Sequence, residues 1–443
     1  MSDRRIKDLD ELLQVPDFQY AEKEPPVELP DSRLDESLNK SKQSRQEKKQ
    51  KKQSQQKKKS GSSASEKKER RRNSKFYKFT RILSYIYLAM FVIFAIVMKV
   101  MDVLPTGTYV AIMIVLALLS AVLFIQLFFK KIKLWAKIVA TFLSIVLIFV
   151  YGIGSAYALG TLAFLDTIGS GVKNENRVNV RTEPFNILIS GIDQEGEIST
   201  PGLSDVNMLV TVNPKTGKIL LTSVPRDYQI RIIEDDHVYG YDKLTHTGSY
   251  GIDTTIAAVE DLLDVQVNYY VKVNFATVVK FVDAIGGVDV YSDYEFVPVK
   301  MPSWTVQQGM NHMNGSQALC FARERKAFNE GDVQRIKNQQ AVFEAMFKKA
   351  LSSKVLMLSY MNILDELTGY VEMNMSSGEI RSLVKMQIAK NIKWDIQKNN
   401  LTGHDRYMGT VSTGSTEVYV MGQDEDSVND AKAKIQAVLS GEK

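Results

Sequence analysis

The chain has 443 residues and a formal net charge of +5, a length that suggests two or three structural regions rather than one domain. The charge is uneven: residues 42–81 hold 17 Lys/Arg and 3 Asp/Glu, a local +14 that leaves −9 on the remainder. The single cysteine, Cys320, excludes an intrachain disulfide, and its apolar setting in "ALCFAR", far from any histidine, reads as a buried small hydrophobe rather than an activated thiol.

In chain order, residues 1–80 are predicted to be a disordered cytoplasmic tail, acidic at first and then strongly basic. Low hydrophobicity with dense like charge cannot bury enough apolar surface to offset chain entropy. Three apolar spans follow within 81–165, near Ile82–Val100, Tyr109–Phe129 and Ala136–Leu159. Each approaches or exceeds the roughly 20 residues needed to cross a bilayer core. Lys130, Lys131, Lys133 and Lys137 flank the second loop, whereas "MDVLPTG" in the first loop has no basic residue. The positive-inside bias then places the N-terminus and the second loop in the cytoplasm and everything beyond residue 165 outside the cell membrane. The charged N-terminus and the later spans exclude a cleaved signal peptide. Lys/Arg runs beside a membrane span read as topogenic and as binders of anionic lipid. No specific nucleic acid partner is expected, because residues 42–75 contain no aromatic residue to stack on bases.

Residues 166–182 form a polar linker, and 183–443 an extracytoplasmic domain. Its predicted strands are Phe185–Ser190, Asn207–Val212, Lys218–Ser223, Asn268–Val273 and Val288–Tyr291. Its predicted helices are Thr254–Leu263, Phe275–Ala284, Gln317–Phe321, Val333–Leu351, Lys354–Leu367, Ser377–Lys390 and Ser427–Leu439, the last capped by Asp426 or Ser427. Interleaving of this kind predicts an α/β (α+β) layered domain with a central mixed sheet flanked by helices.

Charged residues gather at strand ends. Asp193 closes "NILISGID" and Asp205 precedes the next strand. Such a pair suits a shared hard cation such as Mg²⁺, although spacing alone favours the plainer reading that each aspartate caps a turn. A hairpin over 207–223 would bring Asp205 beside Arg226 of "SVPRD". Further on come Arg323, Arg325, Asp332, Arg335 and Gln339. Arg323 and Arg325 would share one side of an extended segment, and Arg335 and Gln339 one helix face, with Asp332 a turn before. Converging guanidiniums call for an anion, and bidentate phosphate contact is the natural one; singly, each arginine is better explained by surface ion pairing. No GxxxxGK[ST], GxGxxG or GxSxG motif occurs. His237, His246, His312 and His404 lack zinc spacing.

"FNILISGID", "SDVNMLVTVNPKTGKILLTSVPRD", "DKLTHTGSYG", "VNYYVKVNFATVVKFVDAIGGVDV", "GMNHMNGSQALCFARER" and "GDVQRIKNQQ", in this order, resemble the LytR-CpsA-Psr family of Gram-positive cell-envelope proteins. The resemblance implies a membrane-anchored phosphotransferase that moves a glycopolymer (capsule, teichoic acid or a related wall polymer) from a polyprenyl-pyrophosphate carrier, undecaprenyl pyrophosphate, to peptidoglycan. It implies that Asp193 and Asp205 hold Mg²⁺ (or Mn²⁺). Arg226, Arg323 and Arg325 would grip phosphate oxygens, with Asp332, Arg335 and Gln339 completing the site and Asp205 and Arg226 acting in catalysis. A lipid-pyrophosphate pyrophosphatase and a non-catalytic polymer-binding or regulatory protein are the alternatives. In one departure from the family pattern, Leu203 stands where an arginine commonly precedes the Ser-Asp pair. No accessory domain is expected between membrane and catalytic domain.

Overall fold

The computed structural model describes residues 74–169, 175–193, 198, 202–235, 237–329, 331–350, 367 and 369–442. Most of the expected tail, and the helix expected over Lys354–Leu367 apart from its last residue, lie outside these. Helix α1 already begins at Ser74, within the stretch assigned to the tail. Its first turns are held because Thr80 Oγ1 donates to the Tyr77 carbonyl (3.2 Å) and the Tyr77 ring receives the Lys137 ammonium 4.8 Å from its centroid.

α1 (Ser74–Met101), α2 (Thr106–Phe128) and α3 (Leu134–Gly169) have 28, 23 and 36 residues and are, by length and composition, able to cross a membrane. They pack through Tyr87, Leu123, Leu127 and Tyr151, with Phe94 stacked on Tyr151 at 5.0 Å. Tyr87 Oη and Ser120 Oγ share a buried hydrogen bond of 2.9 Å. α3 does not stop at the expected linker: it runs on to Gly169, and Phe164 is embedded in the apolar cluster of the following domain.

That domain opens with β1 (Phe185–Ile192), β2 (Ser204–Asn213) and β3 (Lys218–Val224), each longer than expected, and continues through β4 (Gln229–Glu234), β5 (His237–Lys243) and the short α4 (Leu244–Thr247). Next come α5 (Ile252–Leu263), β6 (Tyr269–Asn274), α6 (Phe275–Ala284), β7 (Val288–Ser292), β8 (Gly309–Met313), α7 (Gly315–Arg323) and α8 (Asp332–Ala350). β9 (Val371–Met373), α9 (Ser377–Lys390), β10 (Asp395–Asn400), β11 (Gly403–Met408), β12 (Val418–Gln423) and α10 (Glu425–Ser440) complete it. α10 starts earlier than expected, because Asp424 is its cap and accepts from the backbone N–H of Asp426 and Ser427.

Six strands form a mixed sheet in the order β10-β3-β2-β1-β6-β9, with β1–β2, β2–β3 and β6–β9 antiparallel and β1–β6 and β3–β10 parallel. The β2–β3 turn follows from "NPKTG": Asn213 Oδ1 accepts from Lys215 N (3.0 Å) and Thr216 N (3.3 Å), and Gly217 takes a φ of +71°. Period-two alternation gives the sheet two apolar faces. Leu188, Leu209 and Leu220 face α5 and α10. Ile187, Ile189, Met208, Val210 and Leu221 face the other way, toward Phe343 and Phe347 of α8 and Ile380 and Leu383 of α9. α6, α7 and the β7–β8 hairpin share a third apolar cluster with Val342 of α8. The domain rests on the apolar helices through α9: Arg381 Nη1 donates to the Val100 and Met101 carbonyls (2.7 and 3.2 Å), and Lys385 pairs with Asp102 at 2.8 Å.

Candidate active site

Because β1, β2 and β3 run antiparallel in turn, the end of β1, the start of β2 and the end of β3 meet at one edge. The register Asn207↔Val224 puts Asp205 opposite Arg226, and Arg226 Nη1 lies 3.3 Å from both Asp205 oxygens. The hairpin expectation therefore holds at the side-chain level. Beneath this corner is a closed polar knot. Ser204 Oγ bonds Ser190 Oγ (2.8 Å) and donates to Asn207 Oδ1 (2.7 Å), while Asn207 Nδ2 donates to the Ser204 carbonyl (2.9 Å). Ser204 and Asn207 are buried, so the knot fixes the Ser-Asp corner with its own hydrogen bonds satisfied.

α4 supplies a group that the sequence reading passed over: Thr245 Oγ1 donates to Asp205 Oδ1 at 3.1 Å. Thr245 is held there by its own N–H, which donates to the Arg226 carbonyl (2.8 Å). Asp227, Lys243 and Tyr419 were also missed. Lys243 Nζ pairs with Asp227 Oδ1 at 3.0 Å and lies 5.8 Å from the centre of the Tyr419 ring. The available signal was "PRD" just past β3 together with "DKLTHTG", which begins in β5, a strand largely exposed along its length.

α8 contributes Asp332 at its first turn, which pairs with Arg325 Nε (2.9 Å) and Arg335 Nη2 (3.2 Å). Asp205, Arg226, Arg325, Asp332 and Arg335 thus form one charged cluster. Burial works against the charge on Arg226, but Asp205, Asp227 and Asp332 outweigh it and raise its pKa. Arg335 goes the other way: burial lowers its pKa, and the nearby Arg226 and Arg325 add to that against Asp332 and Asp205. Among the described residues, two guanidinium N–H groups of this cluster have no acceptor, the buried Nε atoms of Arg226 and Arg335. Arg226 Nε is 3.5 Å from Asp227 Oδ2, an ion-pair approach without hydrogen-bond alignment. A buried charged donor left unmet is costly, so an anion placed between these arginines would be strongly favoured.

The remaining expected residues are distributed differently. Arg323 and Arg325 do not share an extended segment, since α7 continues through Arg323. Arg323 lies over the Phe275 ring, 3.7 Å from its centroid, and lines an apolar cavity with Gln339. Arg335 and Gln339 follow one another along α8, the first in the charged cluster and the second in the cavity wall. Asp193 stands exposed just past β1, with its N–H donating to the Leu203 carbonyl (3.0 Å). Leu203 is 42% exposed.

The cavity has a volume of about 360 Å³ and lies between the sheet, through Ile189, Val206 and Met208, and helices α6, α7 and α8. Ile192 and Val206 line it, and each is the chain neighbour of a charged residue, Asp193 or Asp205. The apolar space therefore opens next to the charged cluster, an arrangement suited to an amphiphile with an anionic head. Among the described residues no group of three or more His, Cys, Asp or Glu side chains is assembled for a metal ion. Two carboxylates at this edge are nonetheless the donor set that Mg²⁺ takes when substrate phosphates and water supply its other oxygens.

The model of the LytR_cpsA_psr family matches residues 161–435. A polyisoprenyl-teichoic acid–peptidoglycan teichoic acid transferase TagU of Bacillus cereus is 34% identical over 233 residues, 51% of this chain and 70% of the relative. The TagU of Bacillus licheniformis is 28% identical over 327 residues, 70% of this chain and 99% of the relative. A solved structure of TagT bound to LIIa-WTA shares 27% identity and covers 62% of this chain and 99% of its own, with a TM-score of 0.49.

Proposed function

The chain belongs to the LytR_cpsA_psr family, and from that premise we propose that it transfers a wall glycopolymer from a polyprenyl-pyrophosphate carrier to peptidoglycan on the outer side of the membrane. The observation that carries this reading is the pair of buried, unmet N–H groups of Arg226 and Arg335, in a charged cluster that adjoins an apolar cavity lined by Val206, Arg323 and Gln339. The pyrophosphate would lie among Arg226, Arg325 and Arg335. The first isoprene units would enter the cavity past Arg323 and Gln339, with the rest of the tail remaining outside.

A hydroxyl of the acceptor attacks the phosphorus that carries the glycopolymer. The new P–O bond forms as the bond to the bridging oxygen breaks, and polyprenyl phosphate departs with that electron pair. Asp205, oriented by Arg226 and Thr245, takes the hydroxyl proton directly or through water. Arg226 and Arg335 stabilise the charge that builds on the phosphoryl oxygens and the leaving phosphate. Asp193 and Asp205 would hold Mg²⁺, or Mn²⁺, which would neutralise pyrophosphate charge when bound.

The test uses the full-length protein in lipid nanodiscs with a synthetic polyprenyl-pyrophosphoryl sugar and peptidoglycan oligomers. Metal-dependent transfer is expected, and Arg335→Ala and Arg226→Ala are each expected to lower it by about 10²–10³-fold, as for loss of one preorganised donor. Phosphate release to water without transfer would identify a pyrophosphatase instead. Tight lipid binding with no turnover would identify a binding protein.

A further inference from the structure

α8 has two working faces. Opposite the apolar cavity, a polar groove of about 460 Å³ runs between α8, the β7–β8 hairpin and β10. Gln340 ties its floor together, donating through Nε2 to Ser223 Oγ and the Asn399 carbonyl, each at 3.0 Å.

The hydrogen-bond order in the wall is forced. Asn338 Nδ2 donates to the Phe321 carbonyl (3.2 Å), so Asn338 Oδ1 is the end that accepts, from Gln334 Nε2 (3.0 Å). Gln334 Oε1 is then left without a donor, on a side chain that is 3% exposed. On β10, Asn400 Oδ1 also has no donor, on a half-buried residue. Both line the groove. Buried acceptors that have lost water and gained nothing call for a ligand that brings O–H or N–H donors.

Charge narrows the choice of ligand. Lys337, Lys348 and Lys398 are balanced by Asp289, Asp293 and Glu344 along the lining, and Glu344 is already paired with Lys348 (2.5 Å) and Lys398 (2.6 Å). A polyphosphate chain gains no net attraction here, whereas a neutral polyol loses nothing. At the rim, Tyr291 and Met310 are direct cross-strand partners, 57% and 65% exposed. Their exposed side chains place an aromatic ring and a thioether at the rim, apolar surface that sugar ring C–H groups can cover. The groove begins at Gln334, next to Arg335 of the charged cluster, and follows α8 to Lys348, about 21 Å of helix axis. That length suits an extended chain.

We propose that this groove binds the acceptor: a neutral glycan strand of N-acetylated sugars, laid along α8 so that its attacking hydroxyl arrives beside Arg335. This assignment rests on the transferase reading above and names the place of its second substrate.

The test uses the full-length protein in nanodiscs with chitotetraose, the tetramer of N-acetylglucosamine, as the probe. Asn400→Leu removes one unmet acceptor, and Tyr291→Ala removes the platform at an exposed position. Both variants are expected to weaken chitotetraose binding, and to raise the KM for peptidoglycan oligomers, by tenfold or more. Binding of polyprenyl pyrophosphate and the melting temperature should be unchanged. The proposal is overturned if the wild-type protein does not bind chitotetraose, if both variants bind it as the wild type does, or if a polyribitol phosphate displaces it at lower concentration than a neutral oligomer. Chitotetraose binding with no transfer from any lipid-linked donor would refute the transferase reading and leave the groove as a glycan site.

Discussion

Asp242 is fully buried and charged, and its neighbours explain how that is tolerated. Burial raises its pKa, but hydrogen bonds outweigh it: His246 Nδ1 at 2.6 Å, the Ser412 N–H at 2.8 Å and the Lys243 N–H at 2.7 Å. The pKa is therefore held below the ordinary carboxylate value. The sign follows by linkage. The unfolded chain binds the proton more readily, so this network contributes fully above about pH 4 and is lost as pH falls through the depressed native value. The melting temperature should fall as pH is lowered from 5 to 3, and Asp242→Asn should flatten that slope. An equally steep slope in the variant would remove Asp242 from the account. Ser412 Oγ also approaches His246 Nδ1 (2.8 Å). Serine and aspartate thus address the same ring nitrogen, so the trio orients the loop at the site and is not a nucleophile–base relay. Leu203 illustrates a different limit of sequence reading. Its carbonyl is used by Asp193 N, and the missing guanidinium is visible only against a family pattern, because no property of leucine announces it.

At the scale of elements, hydrophobic alternation was the legible part. Strands β1, β2, β3, β6 and β7 were read because at least one buried face writes itself into the sequence. α6 and α9 were read to the residue, the first opened by the Asn274–Thr277 capping box and the second by that of Ser376–Glu379. β4, β5, β8, β9, β10, β11 and β12 were not read. β5 (HVYGYDK), β10 (DIQKNN) and β11 (GHDRYM) are largely exposed along their length. Their pairing is dictated by partners distant in sequence, and local pattern carries no trace of it. This is also why Lys243 and Thr245 escaped notice: Lys243 ends β5 and Thr245 follows it, a strand with no hydrophobic signature of its own. The turn after α4 has one decisive residue. A Cβ on Gly248 would lie 2.3 Å from the Gly202 carbonyl and 2.8 Å from Ser204 N. Gly248→Ala must therefore push the 202–205 corner aside. It is expected to destabilise the domain by about 1–3 kcal/mol and, on the proposed reading, to weaken turnover more than donor binding. Chemical denaturation and steady-state kinetics would show it, and unchanged turnover would mean that the corner tolerates the shift.

For the whole molecule, the question is how an apolar bundle and a site at a sheet edge are held in register. α9 fastens its Arg381 to the last carbonyls of α1. Lys385 holds Asp102 below the ordinary carboxylate range, its hydrogen bond outweighing partial burial. α3 enters the domain core directly through Phe164. Inserting four alanines after Leu159 adds about one helical turn and breaks this register without touching a charged residue of the site. Transfer from a bilayer-embedded donor should fall at least tenfold, while a short-chain, water-soluble donor analogue should still be turned over. Equal loss on both donors would place the damage in the domain itself.

A 36-residue α3 is about 54 Å long, whereas a bilayer core takes only about 30 Å. If α3 crosses the membrane, its surplus turns act as a ruler that sets the altitude of the charged edge above the bilayer. On the proposed reading, a carrier head group at the interface would reach that altitude only by drawing its first isoprenes out of the membrane, and the apolar cavity would receive them. Membrane thickness then becomes a variable of the reaction, because a thicker leaflet lowers the site toward its substrate and a thinner one lifts it away.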